Sequence, residues 1–314
     1  MFQHTPSLGT LDIARGKIKE IRSDDFSQLS NLQTLVIASN EIAMLEKDCF
    51  PKTLVSLHIG RNRISSLNGT LRHLNDMKML FINSNNLSSL EDELPENAPL
   101  LLMMMASNNH LEKLPKTFKN FIGLDTCYMN DNQIRSLDGL FSHHQKLIRL
   151  YLENNKIEYL AEEEFLKSED IDELNLSSNL IPAMNKSLLY ITNLRLANFS
   201  GNLLREFSMQ EIYKLMKLRR LDLSHNRIEK LTGRHENISE ISSFTLISQL
   251  LLDNNLLKSL DGTLAGLGNL RRLLLSNNLL ENINAEDFER MEELEMLDLS
   301  NNRLKSLEAF SKVC

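Results

Sequence analysis

The chain has 314 residues and a formal net charge of −7, which argues against nucleic acid, whose binding wants a basic stripe. Its conspicuous apolar block, Leu100–Met105, is six residues long, far short of the roughly 18 that a membrane helix needs. Three cysteines, Cys49, Cys127 and Cys314, are too few and too scattered to read as a disulfide framework or a zinc site.

The start, MFQHTPSLGT, has neither the basic residues nor the apolar stretch of a secretion signal. Phe2 stands six residues before Leu8, the spacing that Phe26 keeps to Leu32. The first complete pattern is LGTLDIARGKIKEI, and NLQTLVIASNEIAML (31–45) repeats it with Asn40 where the first has Gly16. The pattern L-x-x-L-x-L-x-x-N-x-L-x-x-L then returns with Asn62, Asn85, Asn109, Asn132, Asn155, Asn179, Asn202, Asn226, Asn255, Asn278 and Asn302 in the same slot. That makes about 13 units over residues 1–314, at steps of 22 to 24 residues, except for 29 between Asn226 and Asn255. The longer step holds an insertion within TGRHENISEISSF (232–244), polar and rich in Ser, which reads as a bulging surface loop. The chain closes on Leu307, Phe310 and Cys314, again inside a unit. Solenoids need polar caps over their terminal core faces, and no cysteine-rich cap is visible. The chain is therefore expected to be a fragment, an engineered piece or an incomplete reading of its gene.

The L-x-L core alternates with period two, so it predicts a short strand with one face buried. After it the chain must turn. An inward Asn side chain can satisfy backbone groups that the turn leaves unpaired, which would be costly to bury alone. Stacked units predict a parallel sheet, a ladder of Asn and an elongated curved solenoid in which each unit touches only its neighbours. A compact α/β domain gives no reason for a fixed period near 23 residues. In the return half, Phe26, Phe50, Phe118, Phe141, Phe165 and Phe288 recur nine or ten residues after the slot, usually with Leu or Ile about six residues later.

These units resemble the leucine-rich repeat superfamily across essentially the whole chain. Their length and the return Phe look like the typical class, which dominates extracellular arrays such as Toll-like receptor ectodomains, Slit-like guidance proteins and small proteoglycans. The resemblance implies an α/β repeat solenoid, a horseshoe with a parallel β-sheet on its concave side and irregular or short-helical segments on the convex side.

No catalytic constellation emerges, so the expectation is a non-enzyme without cofactor or metal. AGLGNL (265–270) lacks the third Gly of a dinucleotide loop. His143 and His144 lack further ligands and are expected at the surface. The acidic run AEEEFLKSEDIDE (161–173) reads as a solvated outer face. Cys127, in LDTCYMNDN, takes a buried strand position, and Cys49 precedes Phe50 on a return stretch; both are expected to be structural thiols. Cys314 is a terminal thiol: free, the first cysteine of a lost cap, or pairing two chains into a dimer. The sequons N-x-S/T fall at Asn68, Asn86, Asn175, Asn185, Asn198 and Asn237. Asn175 and Asn198 lie on the strand face, which leaves Asn68 and Asn237, in outer segments, as the better acceptors.

Recognition in a solenoid should use the outward strand positions. Phe81, Met105, Tyr128 and Tyr151 follow one another on neighbouring strands, which lie about 4.8 Å apart. Met79 and Met103 stand beside them, and His58 and Arg149 rim them. An exposed apolar and aromatic patch often marks a binding surface; Tyr and Arg are favoured hot-spot residues, and Met adapts to a partner's shape. A weaker patch is Leu251 and Leu274 with Arg220 and Arg272. The expected function is an extracellular or cell-surface module that binds a protein ligand through its concave face, in signalling, adhesion or innate immunity. The rival is an intracellular scaffold or regulator of an enzyme.

Overall fold

A computed structural model describes residues 5–233 and 246–306. Phe2, Asn237, Leu307, Phe310, Cys314 and all but the first two residues of the 232–244 insertion lie outside them. The chain divides into two compact units, residues 1–156 and 157–314. Both are parallel β-solenoids with little helix: three short 3-10 turns, Lys116–Asn120, Met209–Glu211 and Ala285–Phe288, among the described residues.

In the first unit the main sheet comprises β1 (Thr10–Asp12), β3 (Thr34–Val36), β5 (Ser56–His58), β6 (Met79–Phe81), β7 (Met103–Met105), β8 (Thr126–Tyr128) and β9 (Arg149–Tyr151). The short strands β2 (Glu20–Ile21) and β4 (Met44–Leu45) pair separately. Every L-x-L core is a three-residue strand whose middle side chain points in. Leu35, Leu57, Leu80, Met104, Cys127 and Leu150 stand in parallel register and are all buried. Leu11, in the end strand β1, is half-buried.

In the second unit the main sheet comprises β10 (Glu173–Asn175), β11 (Leu196–Asn198), β13 (Arg220–Asp222), β15 (Gln249–Leu251), β16 (Arg272–Leu274) and β17 (Met296–Asp298). β12 (Glu206–Ser208) and β14 (Lys230–Thr232) form a separate pair. Ala197, Leu221, Leu250 and Leu273 line the core in register.

The Asn slot does what its chemistry demands. Asn109 is buried, and its Nδ2 donates to Ala106 O at 3.0 Å and to Ile82 O, one repeat earlier, at 3.1 Å. Its Oδ1 accepts from Leu87 N, also one repeat earlier, at 3.0 Å. The same three bonds recur at Asn40, Asn85, Asn132 and Asn278. Only a side chain with both donor and acceptor can make all three. Where the first unit has Gly16, a Cβ would lie 2.6 Å from Asn40 Oδ1, so glycine makes room for the first rung.

A second rule sits one residue earlier. The residue before each slot is left-handed, as in Ser39 (φ 57), Asn108 (φ 56), Asp131 (φ 56), Asn154 (φ 55), Gly201 (φ 67) and Asn254 (φ 55). Asn, Asp and Gly bear that conformation at least cost, which explains the recurrent Asn-Asn pairs.

On the return side Phe26, Phe50, Phe118, Phe141 and Phe165 are buried, while Phe288 is half-buried. Carboxylates stitch successive return turns: Glu93 Oε2 accepts from Gly69 N at 2.6 Å, Glu211 Oε1 from Lys186 N at 2.9 Å and Asp287 Oδ1 from Gly262 N at 2.7 Å. Two expectations are corrected here. His143 is exposed, but His144 is fully buried, its ring 5.5 Å from both Phe118 and Phe141. It fills the core position three residues after the return Phe that Leu29 and Phe121 fill in their units. In the acidic run Glu162 and Glu163 are exposed, whereas Glu164 points inward with Phe165 and is 1% exposed. Cys49 and Cys127 are buried free thiols, and burial pushes the Cys49 thiol up to about 12.

Candidate functional site

The parallel register of β5 to β9 aligns His58, Phe81, Met105, Tyr128 and Tyr151 on the open face of one sheet. The alignment follows from the repeat: each is the last residue of a strand whose middle residue is buried, so alternation turns it outward. The row is not uniform. The His58 imidazole stacks on Phe81, centroids 4.2 Å apart with 28° between planes. Tyr128 stacks on Tyr151 at 4.7 Å and 6°. Met105 lies between the two pairs in register with both Phe81 and Tyr128. Because the rings cover one another, all five side chains are half-buried rather than freely exposed.

The parallel row behind them reads Ser56, Met79, Met103, Thr126 and Arg149. Met79 is exposed, Met103 half-buried and Arg149 exposed. Ser56 Oγ lies 3.0 Å from His58 Nε2 and fixes the orientation of the imidazole. Thr126 is buried, its Oγ1 donating to Asp125 Oδ1 at 2.5 Å, so it adds no contact surface. Burial lowers the His58 pKa, with Asp12 on β1 opposing the shift. Burial therefore favours the neutral ring, an aromatic face over a cation. A shallow hollow at this end of the row is lined by Asp12, Arg15, Val36, His58, Arg61 and Phe81. Asp12 and Arg61 thus join the surface; reading the outward strand positions as a spatial neighbourhood rather than as apolar types alone would have included Asp12, whereas Arg61 belongs to the turn before Asn62.

The second patch is also contiguous. Leu251 and Leu274 are in register on β15 and β16, and Gln249 stands between Arg220 and Arg272. Its charge is less available than the sequence suggests. Arg220 pairs with Asp222 at 3.2 Å, and Asp222 in turn accepts from Ser224 N and Oγ. Arg272 is exposed. Of the sequons in the described residues, Asn68 occupies a left-handed return turn (φ 52), and its Nδ2 donates to Leu45 O at 3.1 Å.

Comparison with known proteins agrees with this architecture. Family profiles described as leucine-rich repeat match residues 30–87 and 245–304 and residues 217–243, and a BspA-type leucine-rich repeat profile matches 105–219. Human epiphycan is 31% identical over 122 residues, 38% of this chain and 37% of its own length. Mouse podocan is 24% identical over 332 residues, covering 95% of this chain and 45% of podocan. The chain matches between 16% and 45% of the length of such curated relatives. A solved leucine-rich repeat protein of Leptospira interrogans superposes with a TM-score of 0.75 at 24% identity, covering 95% of this chain and 79% of that one. The strand register, the Asn ladder and profiles that together run along most of the sequence lead to one assignment: the chain belongs to the leucine-rich repeat family.

Proposed function

We propose that this chain is a non-enzymatic recognition module, at the cell surface or outside the cell, that binds a protein ligand through the open strand face of β5 to β9. The observation that carries the reading is the pair of ring stacks, His58 on Phe81 and Tyr128 on Tyr151, flanking Met105 on one rigid sheet. Pre-ordered aromatic groups lose little conformational freedom on binding, and aromatic and Arg side chains dominate interface energetics. Arg149 at one end and Met79 alongside complete an apolar centre with a polar rim, the layout of a protein interface. The repeat length and the return Phe support the extracellular placement, and the weaker patch at Leu251 and Leu274 is a second contact area.

The test is an unbiased interaction screen with the chain as bait, repeated with Phe81→Ser, Tyr128→Ala and Tyr151→Ala together. Loss of the partner at unchanged thermal stability is the expected result. A partner held with unchanged affinity by a folded triple variant rejects the site. The competing intracellular reading draws on the two free thiols, Cys49 and Cys127, which fit a reducing compartment. Surface labelling of intact cells separates the two.

A further inference from the structure

Five sequons lie in the described residues, and their surroundings differ sharply. At Asn68 and Asn185 the carboxamide nitrogen is held against the neighbouring turn, donating to Leu45 O and Leu160 O at 3.1 Å each. The hydroxyl residues of those two sequons, Thr70 and Ser187, are fully buried. Asn175 and Asn198 sit on β10 and β11, and each folds its Oδ1 back onto its own sequon: Asn175 accepts from Ser177 N and Oγ, and Asn198 from Ser200 N. Asn86 is the exception. Its backbone N–H donates to Ile64 O at 2.8 Å, which pins the main chain, while the residue and Ser88 are both exposed. Leu87 between them is fully buried and anchors the segment to the core. The corresponding positions of the adjoining repeats hold Arg63 and His110, both exposed, so a bulky group on Asn86 meets no packed neighbour.

We propose that Asn86 is an N-glycan acceptor of this protein, an inference that rests on the extracellular reading above. The donor is an oligosaccharide linked to a lipid through pyrophosphate. A bond forms between Asn86 Nδ2 and the anomeric carbon of the first sugar, the bond from that carbon to the pyrophosphate oxygen breaks, Nδ2 gives up one proton, and the lipid pyrophosphate leaves. Asn86 follows β6 directly after the ladder residue Asn85, so its glycan grows from the turn beyond the strands and leaves the row of Phe81 and Met105 uncovered.

The test imposes secretion. The full chain is expressed behind a foreign signal peptide in mammalian cells, so the natural address of the protein does not enter the result. Secreted and retained pools are both digested, treated with a glycan-releasing amidase in heavy-oxygen water and mapped by mass spectrometry. Conversion of Asn86 to labelled Asp, abolished by Ser88→Ala, is the expected outcome. Asn86 unmodified in both pools overturns the proposal, as does glycan on Asn175 or Asn198 with Asn86 bare. Surface labelling of cells carrying the unaltered gene tests the extracellular reading on its own.

Discussion

Gly123 is pressed against Pro99 of the preceding repeat: a Cβ on Gly123 would lie 2.1 Å from the Pro99 carbonyl oxygen and 3.3 Å from that of Leu101. Both partners are backbone, so neither can swing aside. Gly123→Ala should cost at least about 2 kcal/mol, since overpacking a rigid contact shifts main chain rather than a rotamer. Urea unfolding monitored by circular dichroism measures it, and a loss below a few tenths would show that the two repeats separate easily.

The ladder predicts a loss from a substitution that leaves the main chain in place. Asn109→Leu leaves Leu87 N without its acceptor and takes one of two side-chain donors from Ile82 O, which keeps Asn85 Nδ2, and from Ala106 O, which keeps Asn132 Nδ2. A buried polar group left unpaired costs about 1–3 kcal/mol, so a loss of about 1–3 kcal/mol is expected. Asn109→Asp keeps the acceptor but turns oxygen toward two carbonyls, and should also destabilise. An aspartate variant as stable as the parent would remove the donor half of the argument.

His144 makes stability depend on pH. Burial lowers its pKa from 6.5 to about 4, opposed by the nearby carbonyls of Phe118 and Phe141. The unfolded chain therefore takes the proton at higher pH than the folded one. The stability tied to the neutral ring is complete above about pH 6.5 and drains away as pH falls toward 4. The full effect is about 3 kcal/mol. Melting temperature against pH should show this slope, and His144→Phe should flatten it.

The ring stack on the open face has its own readout. With Phe81→Ala, His58 loses the surface that covers one side of it, and its lowered pKa should climb back toward the ordinary histidine value. Proton NMR of the His58 ring follows the change. A pKa that stays put would mean that the strand backbone, not Phe81, shields the imidazole.

Left-handed turns make a further distinction. Asn108, at φ 56, should accept Gly with little change, whereas Asn108→Val should cost about 2 kcal/mol, because a β-branched residue has no comfortable place there. Equal melting temperatures for the two variants would contradict the turn geometry.

The strands and the ladder were legible in the sequence because each depends on a property that repeats: alternation for Leu35 or Leu150, and a donor-plus-acceptor side chain for Asn109. Neighbourhood on the open face follows from the same register, so the repeat alone puts Phe81, Met105, Tyr128 and Tyr151 in one row. What escaped depends on local packing. The stacking of His58 on Phe81 is a rotamer choice that half-buries residues expected to be exposed. His144 looked like a surface residue because histidine is polar; its spacing of three from Phe141, matching Leu29 after Phe26, carried the opposite message. What the carboxylates of Glu93, Glu211 and Asp287 share is a backbone N–H of the preceding turn as partner, which no residue letter reveals. Ala106, small where Leu is usual, is fully buried between the aligned Ile82 and Met129, and nothing in the structure explains its size.

The rungs of the ladder all reach the same way. Asn109 serves groups of the repeat before it, Asn132 serves that of Asn109, and Asn278 serves that of Asn255. Each repeat is thus completed by its successor. During synthesis, a repeat that has just emerged holds an open set of backbone groups until about two dozen further residues arrive, so ordering must trail the ribosome by one repeat. Nascent-chain proteolysis should show that lag as a protected edge that advances in steps of one unit.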